Sequence, residues 1–270
     1  MRVLVINDLS CVGKCSLTVA LPILSASGIT CDVLPTAILS THTGGFDGYT
    51  FRDLTGDIPD ILKHWKSLGI RFDFIYSGYL GNIRQIQLVS ELKKEFLADG
   101  GKFIVDPVMG DDGKLYQGFE PAYVDQMREL CREADYILPN ATEACLLSQK
   151  PYPVNKENVR EVLSALSELC PFPIVTGITV DNDVAVYFTK RGRGLFSFTH
   201  ENVEGFFCGA GDVFASAFVA GLANGKHESE AIYLASEFTA KAIRRSAREV
   251  SDKRYGLSFE QEIFGFLQNL

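Results

Sequence analysis

Short apolar runs alternate with helically spaced apolar residues along the first two thirds of the chain. The apolar runs predict strands at residues 2–6, 32–38, 72–76, 102–105, 136–138 and 174–175. The spacing of apolar residues between these runs predicts helices at 16–27, 57–68, 85–97, 124–131 and 156–169. Strands that alternate with helices favour a mainly parallel sheet, flanked by helices and joined by right-handed crossovers. We therefore predict an α/β fold.

The pattern changes in the last third of the chain. Two apolar runs at 184–189 and 195–200 flank the sequence Arg191-Gly192-Arg193-Gly194, which predicts a β-hairpin. Helices are predicted beyond it at 211–224, 228–245 and 259–267. Repeats, low-complexity segments and linkers are absent from the sequence. We therefore expect one domain over residues 1–270.

Polar residues follow the predicted parallel strands. Parallel open sheets bind their ligands beyond the carboxyl ends of the strands. The residues at those ends are Asn7, Asp8, Thr41, His42, Thr43, Ser77, Tyr79, Asp106, Asn140 and Thr176. Any α/β protein has some polar residues at these positions, but together they form the set from which a binding site would be built.

The charge and hydropathy of the chain limit its partners. The 34 acidic residues outnumber the 26 basic ones, which disfavours nonspecific binding to nucleic acid or to an anionic membrane. The longest apolar stretch covers 17–29 and contains Pro22, and it is shorter than the roughly 20 residues that a membrane span needs. The first predicted strand begins at residue 2 and leaves no room for a signal peptide. We expect a cytoplasmic protein that binds small molecules.

Cysteine is scattered along the chain rather than clustered. The seven cysteines are an odd number and lie mostly in apolar runs, which favours reduced, buried thiols over a disulfide framework. Cys11 and Cys15 could form a redox or metal-binding pair, but no second pair completes a zinc site.

The sharpest motif is the segment Gly205-Phe206-Phe207-Cys208-Gly209-Ala210-Gly211-Asp212, which an apolar helix follows. Small residues before a helix let backbone N–H groups approach an anion, and the helix dipole adds partial positive charge. Asp212 lies in the first helical turn and could accept a proton from a hydroxyl beside a bound phosphate. An alternative is that the glycines only break a loop, and that the helix dipole alone favours Asp212.

The Gly209-Ala210-Gly211-Asp212 motif resembles the GAGD of the ribokinase-like superfamily. Within that superfamily, four more segments resemble the vitamin B6 kinases: Leu39-Ser40-Thr41-His42-Thr43, Ser77-Gly78-Tyr79, Val105-Asp106-Pro107-Val108-Met109-Gly110 and Leu138-Pro139-Asn140-Ala141-Thr142-Glu143. The segments occur in the family's order over nearly the whole chain. The resemblance implies a ribokinase-like three-layer sandwich and an enzyme that uses ATP and Mg²⁺.

The resemblance implies a role for each matching residue. Asp212 would be the general base, and the backbone of Gly209, Ala210 and Gly211 would hold the charge of the transferring phosphoryl group. ATP would contact Asp106, Asn140, Glu143, Thr176, Gly209 and Gly211. Asp111 and Glu143 would lie near the magnesium-bound phosphates, and the substrate would contact Ser10, Thr43, Tyr79 and Asp212.

The expected reaction is phosphorylation of the 5′-hydroxymethyl group of pyridoxamine, pyridoxal or pyridoxine, which gives the 5′-phosphate and ADP. The segment Asn7-Asp8-Leu9-Ser10 is more similar to the D-x-S of hydroxymethylpyrimidine kinases, so that ring is an alternative substrate. A vitamer-binding protein without catalysis is a second alternative. Leu138 stands where some relatives have a threonine linked to a monovalent cation, which leaves a K⁺ requirement open. Family resemblance also implies a homodimer.

Overall fold

The computed structural model describes residues 1–190, 192–205 and 207–270. Arg191, in the turn of the predicted hairpin, and Phe206, in the glycine-rich segment, lie outside the described residues. Strands are observed at β1 Arg2–Val12, β2 Thr30–Thr41, β3 Phe51–Asp53, β4 Phe72–Ser77, β5 Leu97–Val105, β6 Gly110–Asp111, β7 Lys114–Leu115, β8 Tyr136–Ile137, β9 Phe172–Val180, β10 Asp183–Lys190 and β11 Arg193–Glu201. Helices are observed at α1 Leu17–Ala26, α2 Ile58–Ser67, α3 Ile83–Phe96, α4 Pro121–Arg132, α5 Ala141–Ser148, α6 Val159–Ser167, α7 Ala210–Ala223, α8 Glu228–Glu249 and α9 Ile263–Leu267, with a 3₁₀ turn at Lys253–Tyr255.

One large sheet has the strand order β11-β10-β9-β8-β5-β4-β1-β2-β3. The central strands from β9 to β2 pair in parallel. The outer strands β3, β10 and β11 pair antiparallel at the two edges. Two neighbouring parallel strands must be joined by a long crossover connection, usually an α-helix, which explains why helices follow most of the central strands. The predicted mainly parallel α/β fold is confirmed, as is the hairpin of β10 and β11.

Helices cover both faces of this sheet. Side chains alternate between the faces along a strand, so Val3 and Val5 of β1 pack on one side while Leu4 and Ile6 pack on the other. Helices α1, α7, α8 and α9 bury the first side, and α2 to α6 bury the second. The result is the expected three-layer sandwich.

Strands β1 and β2 run further than their apolar runs predict. The pairing of β1 with β4 stops at Ile6 opposite Ser77, whereas its pairing with β2 continues to Val12 opposite Thr41. The short strand β3, which its sequence does not predict, joins the outer side of β2. Asp8 and Ser10 therefore lie in an extended ribbon just past the carboxyl edge of the central sheet.

Two further elements were not predicted from the sequence. Helix α5 has six buried residues among its eight, so it lacks the polar face that helical periodicity requires. The small β6–β7 hairpin has only two residues in each strand. The last helix is shorter than predicted and begins at Ile263.

Among the described helices, none is both long and apolar enough to cross a membrane.

Candidate active site

Asn7 connects three elements at the carboxyl edge of the sheet. Its Nδ2 donates a hydrogen bond to Asp212 Oδ1 (3.3 Å), and its Oδ1 accepts one from the Tyr79 amide (2.8 Å). A Cβ atom at Gly78 would lie 2.4 Å from Asn7 Nδ2, so only glycine lets β4 approach so closely. Asn7 therefore fixes the start of α7 against the ends of β1 and β4.

The carboxylate of Asp212 lies in the first turn of α7 and is partly buried. Cys15 Sγ lies 3.4 Å from Asp212 Oδ2 and donates to it. Burial raises the pKa of Asp212 to about 6, and the negative charge of Asp8 acts in the same direction, while hydrogen bonds from the Ser16 amide and Cys15 oppose the shift. A carboxylate with this pKa is ionised at neutral pH and can still take up a proton readily.

The backbone before α7 has the geometry of an anion site. Gly209 has φ +78°, and a Cβ atom there would lie 2.4 Å from the carbonyl oxygen of Lys14. The helix begins at Ala210, and the amides of a first helical turn have no partner within the helix. These amides and the helix dipole favour a negatively charged group beside Asp212.

Ser10 is fully buried, and its hydroxyl is engaged by Asp8. Ser10 Oγ donates to Asp8 Oδ2 (3.0 Å), and Ser16 Oγ donates to Asp8 Oδ1. Burial raises the pKa of Asp8, and the two hydroxyl hydrogen bonds oppose that shift. Ser10 therefore lies in the wall behind Asp8, at the end of the site where we predicted substrate contacts.

The other two predicted substrate residues occupy different environments. Tyr79 is partly buried, and its ring centroid lies 6.0 Å from that of Phe119. Burial raises the pKa of Tyr79 to about 12, so its phenol is neutral and can donate a hydrogen bond. Thr43 is exposed and follows the buried His42. The Tyr79 amide is hydrogen-bonded to Asn7, whereas Thr43 lies at the surface.

His42 connects the loop after β2 to distant parts of the chain. Its Nε2 lies 2.6 Å from the carbonyl oxygen of Arg254, so it donates there, and its Nδ1 accepts from the Gly44 amide (3.1 Å). Cys208 Sγ also lies 3.4 Å from His42 Nδ1. His42 thus has a structural role next to the glycine-rich segment.

A second group of acidic residues, Asp106 and Glu143, lies near Asp212. The side chains of Asn140 and Glu143 form a capping box at the start of α5, with both reciprocal hydrogen bonds at 2.9 Å. Glu143 Oε1 also accepts from the Met109 amide (3.0 Å). Burial raises the pKa of Glu143 to about 8. Burial, together with the negative charges of Glu143 and Asp212, raises the pKa of Asp106 well above its ordinary value.

Burial is the main cause of both raised pKa values and nearby carboxylates add to it, so a bound cation would favour the ionised form of Asp106 and Glu143. Within the described part of the chain, no group of three or more His, Cys, Asp or Glu side chains is arranged to hold a metal ion. Mg²⁺ usually binds through one or two carboxylates and phosphate oxygens while it keeps several waters. Asp106 and Glu143 fit that mode of binding. Asp111 lies on β6, is exposed, and accepts a hydrogen bond from the Asp112 amide (2.9 Å).

Thr176 lies beside this acidic group. It forms an isolated parallel bridge with Asn140, and its amide donates to the carbonyl of Pro139 (3.0 Å). Asn140 Nδ2 donates to the carbonyl of Gly110 (2.8 Å), which fixes the β6–β7 hairpin against α5. Of the predicted nucleotide residues, Asp106, Asn140 and Thr176 therefore lie at one edge of the sheet, while Glu143 lies in the first turn of α5 and Gly209 and Gly211 lie at the start of α7.

Three residues with contacts at the site were not predicted as site residues. Cys15 and Ser16 precede α1 and contact Asp212 and Asp8, and the carbonyl of Arg254 receives the His42 hydrogen bond. The Cys15–Asp212 and His42–Arg254 contacts join positions about 200 residues apart in the sequence. No local sequence pattern predicts contacts between such distant positions. Cys15 stood out in the sequence only as a possible partner of Cys11.

The fold and the glycine-rich turn before α7 together define a ribokinase-like α/β protein. The sequence profile of the phosphomethylpyrimidine kinase family matches residues 60–256, and the chain belongs to that family.

Two solved structures share nearly the whole fold. The "putative phosphomethylpyrimidine kinase" of Bacteroides thetaiotaomicron, crystallised with pyridoxal, is 37% identical, with a TM-score of 0.93 over 98% of this chain and 95% of its own. The pyridoxal kinase of Lactobacillus plantarum is 31% identical, with a TM-score of 0.92 over 99% of this chain and 96% of its own.

Curated relatives match over a shorter length. A Caenorhabditis elegans protein named "putative pyridoxal kinase" is 31% identical over 160 residues, which is 55% of this chain and 48% of the relative. The chain thus spans about half the length of this curated relative.

Proposed function

We propose that the protein is an ATP-dependent kinase that phosphorylates the 5′-hydroxymethyl group of a vitamin B6 vitamer. The observation that carries the proposal is the position of Asp212: its carboxylate has a raised pKa and lies in the first turn of α7, directly after the Gly209 turn. Phosphoryl transfer needs such a base in line with donors for the phosphoryl oxygens. The pyridoxal in the Bacteroides structure supports the choice of ring.

In this reaction Asp212 accepts the proton of the substrate hydroxyl as its oxygen attacks the γ-phosphorus of ATP. The new P–O bond forms while the bond between the γ-phosphorus and the β-bridging oxygen breaks, so the products are the 5′-phosphate and ADP. The amides of Gly209, Ala210 and Gly211 hold the negative charge of the transferring group. Asn7 holds the Asp212 carboxylate in place through its 3.3 Å hydrogen bond.

The remaining predicted residues take supporting roles. Mg²⁺ would neutralise phosphate charge next to Asp106, Glu143 and, through water, Asp111. Asn140 and Thr176, which form a parallel bridge at the edge of the sheet, would position the nucleotide. The neutral phenol of Tyr79 would donate to the substrate, Ser10 would fix Asp8 at the pocket wall, and Thr43 would close the pocket from the surface.

A hydroxymethylpyrimidine is the second candidate substrate. The specific observation in its favour is the buried Asp8–Ser10 pair, because that D-x-S arrangement is similar to the opening segment of hydroxymethylpyrimidine kinases. The match to the phosphomethylpyrimidine kinase profile supports the same choice.

Parallel reactions with each candidate ring distinguish these substrates. The protein is incubated with Mg-ATP and, separately, with pyridoxal, pyridoxamine, pyridoxine or hydroxymethylpyrimidine, and mass spectrometry detects the phosphate ester. We expect a rapid increase in ester with at least one B6 vitamer. Ester from the pyrimidine alone would replace the B6 proposal, and no ester in any reaction, with tight binding of a vitamer, would indicate a binding protein without catalysis.

The pH dependence of turnover follows from the pKa of Asp212. Because that pKa is raised to about 6, the carboxylate is protonated below this pH and cannot accept the substrate's proton. We expect kcat/KM to fall as the pH decreases through about 6 and to level off above it. The profile is measured with both pyridoxal and pyridoxine, because ionisation of the substrate would give different midpoints for the two. A profile that stays flat across pH 6 would contradict the role of Asp212.

A further inference from the structure

Two cysteines from distant parts of the sequence flank Asp212. Cys15 lies just before α1, with its Sγ 3.4 Å from Asp212 Oδ2, and Cys208 lies just before Gly209, with its Sγ 3.4 Å from His42 Nδ1. Gly209, the residue after Cys208, lies against the Cys15 backbone, since a Cβ atom added at Gly209 would be 3.7 Å from Cys15 Cα. The phosphoryl transfer described above uses neither thiol.

The two thiols differ in their chemistry. A hydrogen bond with Cys15 is the main effect that lowers the pKa of Cys208, to about 5; burial opposes the shift and the contact with His42 adds to it. The same hydrogen bond and burial raise the pKa of Cys15 well above its ordinary value. Cys208 is thus the better nucleophile, because the thiolate is the reactive form. Both residues are only partly buried, which leaves part of their surface open to a small reagent.

We propose that Cys15 and Cys208 form a reversible disulfide by exchange with a low-molecular-weight disulfide such as glutathione disulfide. The structure assigns Cys208 as the attacking thiol and Cys15 as the resolving thiol, because Cys208 contacts an imidazole while Cys15 contacts the Asp212 carboxylate. Such a bond requires two backbones in close approach. Cys208 directly precedes Gly209, and Gly209 lies against the Cys15 backbone, which brings the two cysteines close to each other.

The exchange takes place in two balanced steps. The Cys208 thiolate attacks one sulfur of glutathione disulfide, which forms a mixed disulfide and releases one glutathione as its thiolate. Cys15 then gives its proton to Asp212, and its sulfur attacks the Cys208 sulfur. The second glutathione leaves as a thiolate and takes up that proton. Two protein thiols are oxidised, and one glutathione disulfide is reduced to two thiols.

The bond would change the site in two ways. It removes the S–H that Cys15 donates to Asp212, and it ties the turn before α7 to the loop before α1. The anion site at Gly209 and the base at Asp212 both depend on the position of that turn. We therefore expect the oxidised protein to have lost phosphoryl transfer. This consequence rests on the proposed function, whereas formation of the bond does not.

The bond itself is tested by mass. The native full chain is incubated with glutathione disulfide, and the expected product has lost about two hydrogen masses with no glutathione attached. Digestion without reductant should give one cross-linked peptide pair that contains Cys15 and Cys208. The Cys11→Ser variant controls for the exposed cysteine and should form the same cross-link. The Cys208→Ser variant should form none. A stable glutathione adduct on Cys208, or a cross-link between other cysteines, would overturn the proposal.

Turnover provides the second readout. We expect vitamer phosphorylation by the treated wild-type protein to fall at least about 10-fold, since a displaced catalytic group costs on that order or more. Dithiothreitol should restore it, and turnover of the Cys208→Ser variant should not respond to the treatment. Equal loss of turnover in that variant would contradict the link between the bond and activity. If the untreated protein phosphorylates no vitamer, the proposed function fails while the mass measurement still decides on the disulfide.

Discussion

Replacement of Asp212 by asparagine is expected to lower turnover at least about 100-fold, the range for loss of a general base. Asparagine keeps the size of the side chain and an oxygen that can accept the Asn7 hydrogen bond, but it cannot take up the substrate's proton. The fold should tolerate the change, because the carboxylate is held in an environment that already disfavours its charge. The free energy of unfolding should therefore change by less than about 1 kcal/mol.

The measurement pairs steady-state kinetics with thermal unfolding and ATP binding. Glu230→Gln is the matched control, because Glu230 is also an acidic residue in the first turn of a helix but is paired with Lys226 at the surface. The control should keep near wild-type turnover, since surface substitutions have small effects. If Asp212→Asn binds ATP, stays folded and still turns over at near wild-type rate, another group must be the base.

The fold could be predicted from the sequence where an element has a recognisable pattern of apolar residues. Strands such as β4 are short and mostly apolar, and helices such as α2 have one apolar face, so both could be recognised locally. Helix α5 could not, because burial on most sides removes its polar face. The extension of β1 past Ile6 was missed for a different reason: its polar residues Asp8 and Ser10 pair with each other instead of facing solvent.

The location of the candidate site could also be predicted from the sequence, but the contacts of its side chains could not. The topology of a parallel sheet brings strand ends together, and Asn7, Asp106 and Asn140 indeed lie at one edge with the start of α7. What the pattern could not provide is which of these side chains are already engaged. Ser10 donates to Asp8, for example, and the Glu143 carboxylate accepts backbone amides. Cys15 was outside the motif because its contact with Asp212 depends on how α1 and α7 pack.

The position of Gly209 provides the other large expected effect. In Gly209→Ala, the added Cβ would lie 2.4 Å from the Lys14 carbonyl oxygen, so the backbone must move. Displacement of positioning groups by about 1 Å can cost 100-fold in rate. We therefore expect turnover to fall at least about 100-fold. The positive φ adds strain of about 1–2 kcal/mol, and the clash should add about 1–3 kcal/mol to the loss of unfolding free energy.

Gly28→Ala separates the clash from the strain. Gly28 also has φ +78°, but a Cβ atom there would meet nothing within 4 Å, so the variant carries the conformational strain alone. It should lose only about 1–2 kcal/mol of unfolding free energy and keep its turnover. Chemical denaturation and steady-state kinetics on both variants give the comparison. Equal losses in the two would mean that contact with Lys14 does not set the position of the turn. A destabilised Gly209→Ala with normal turnover would mean that the turn before α7 does not hold the transferring phosphoryl group.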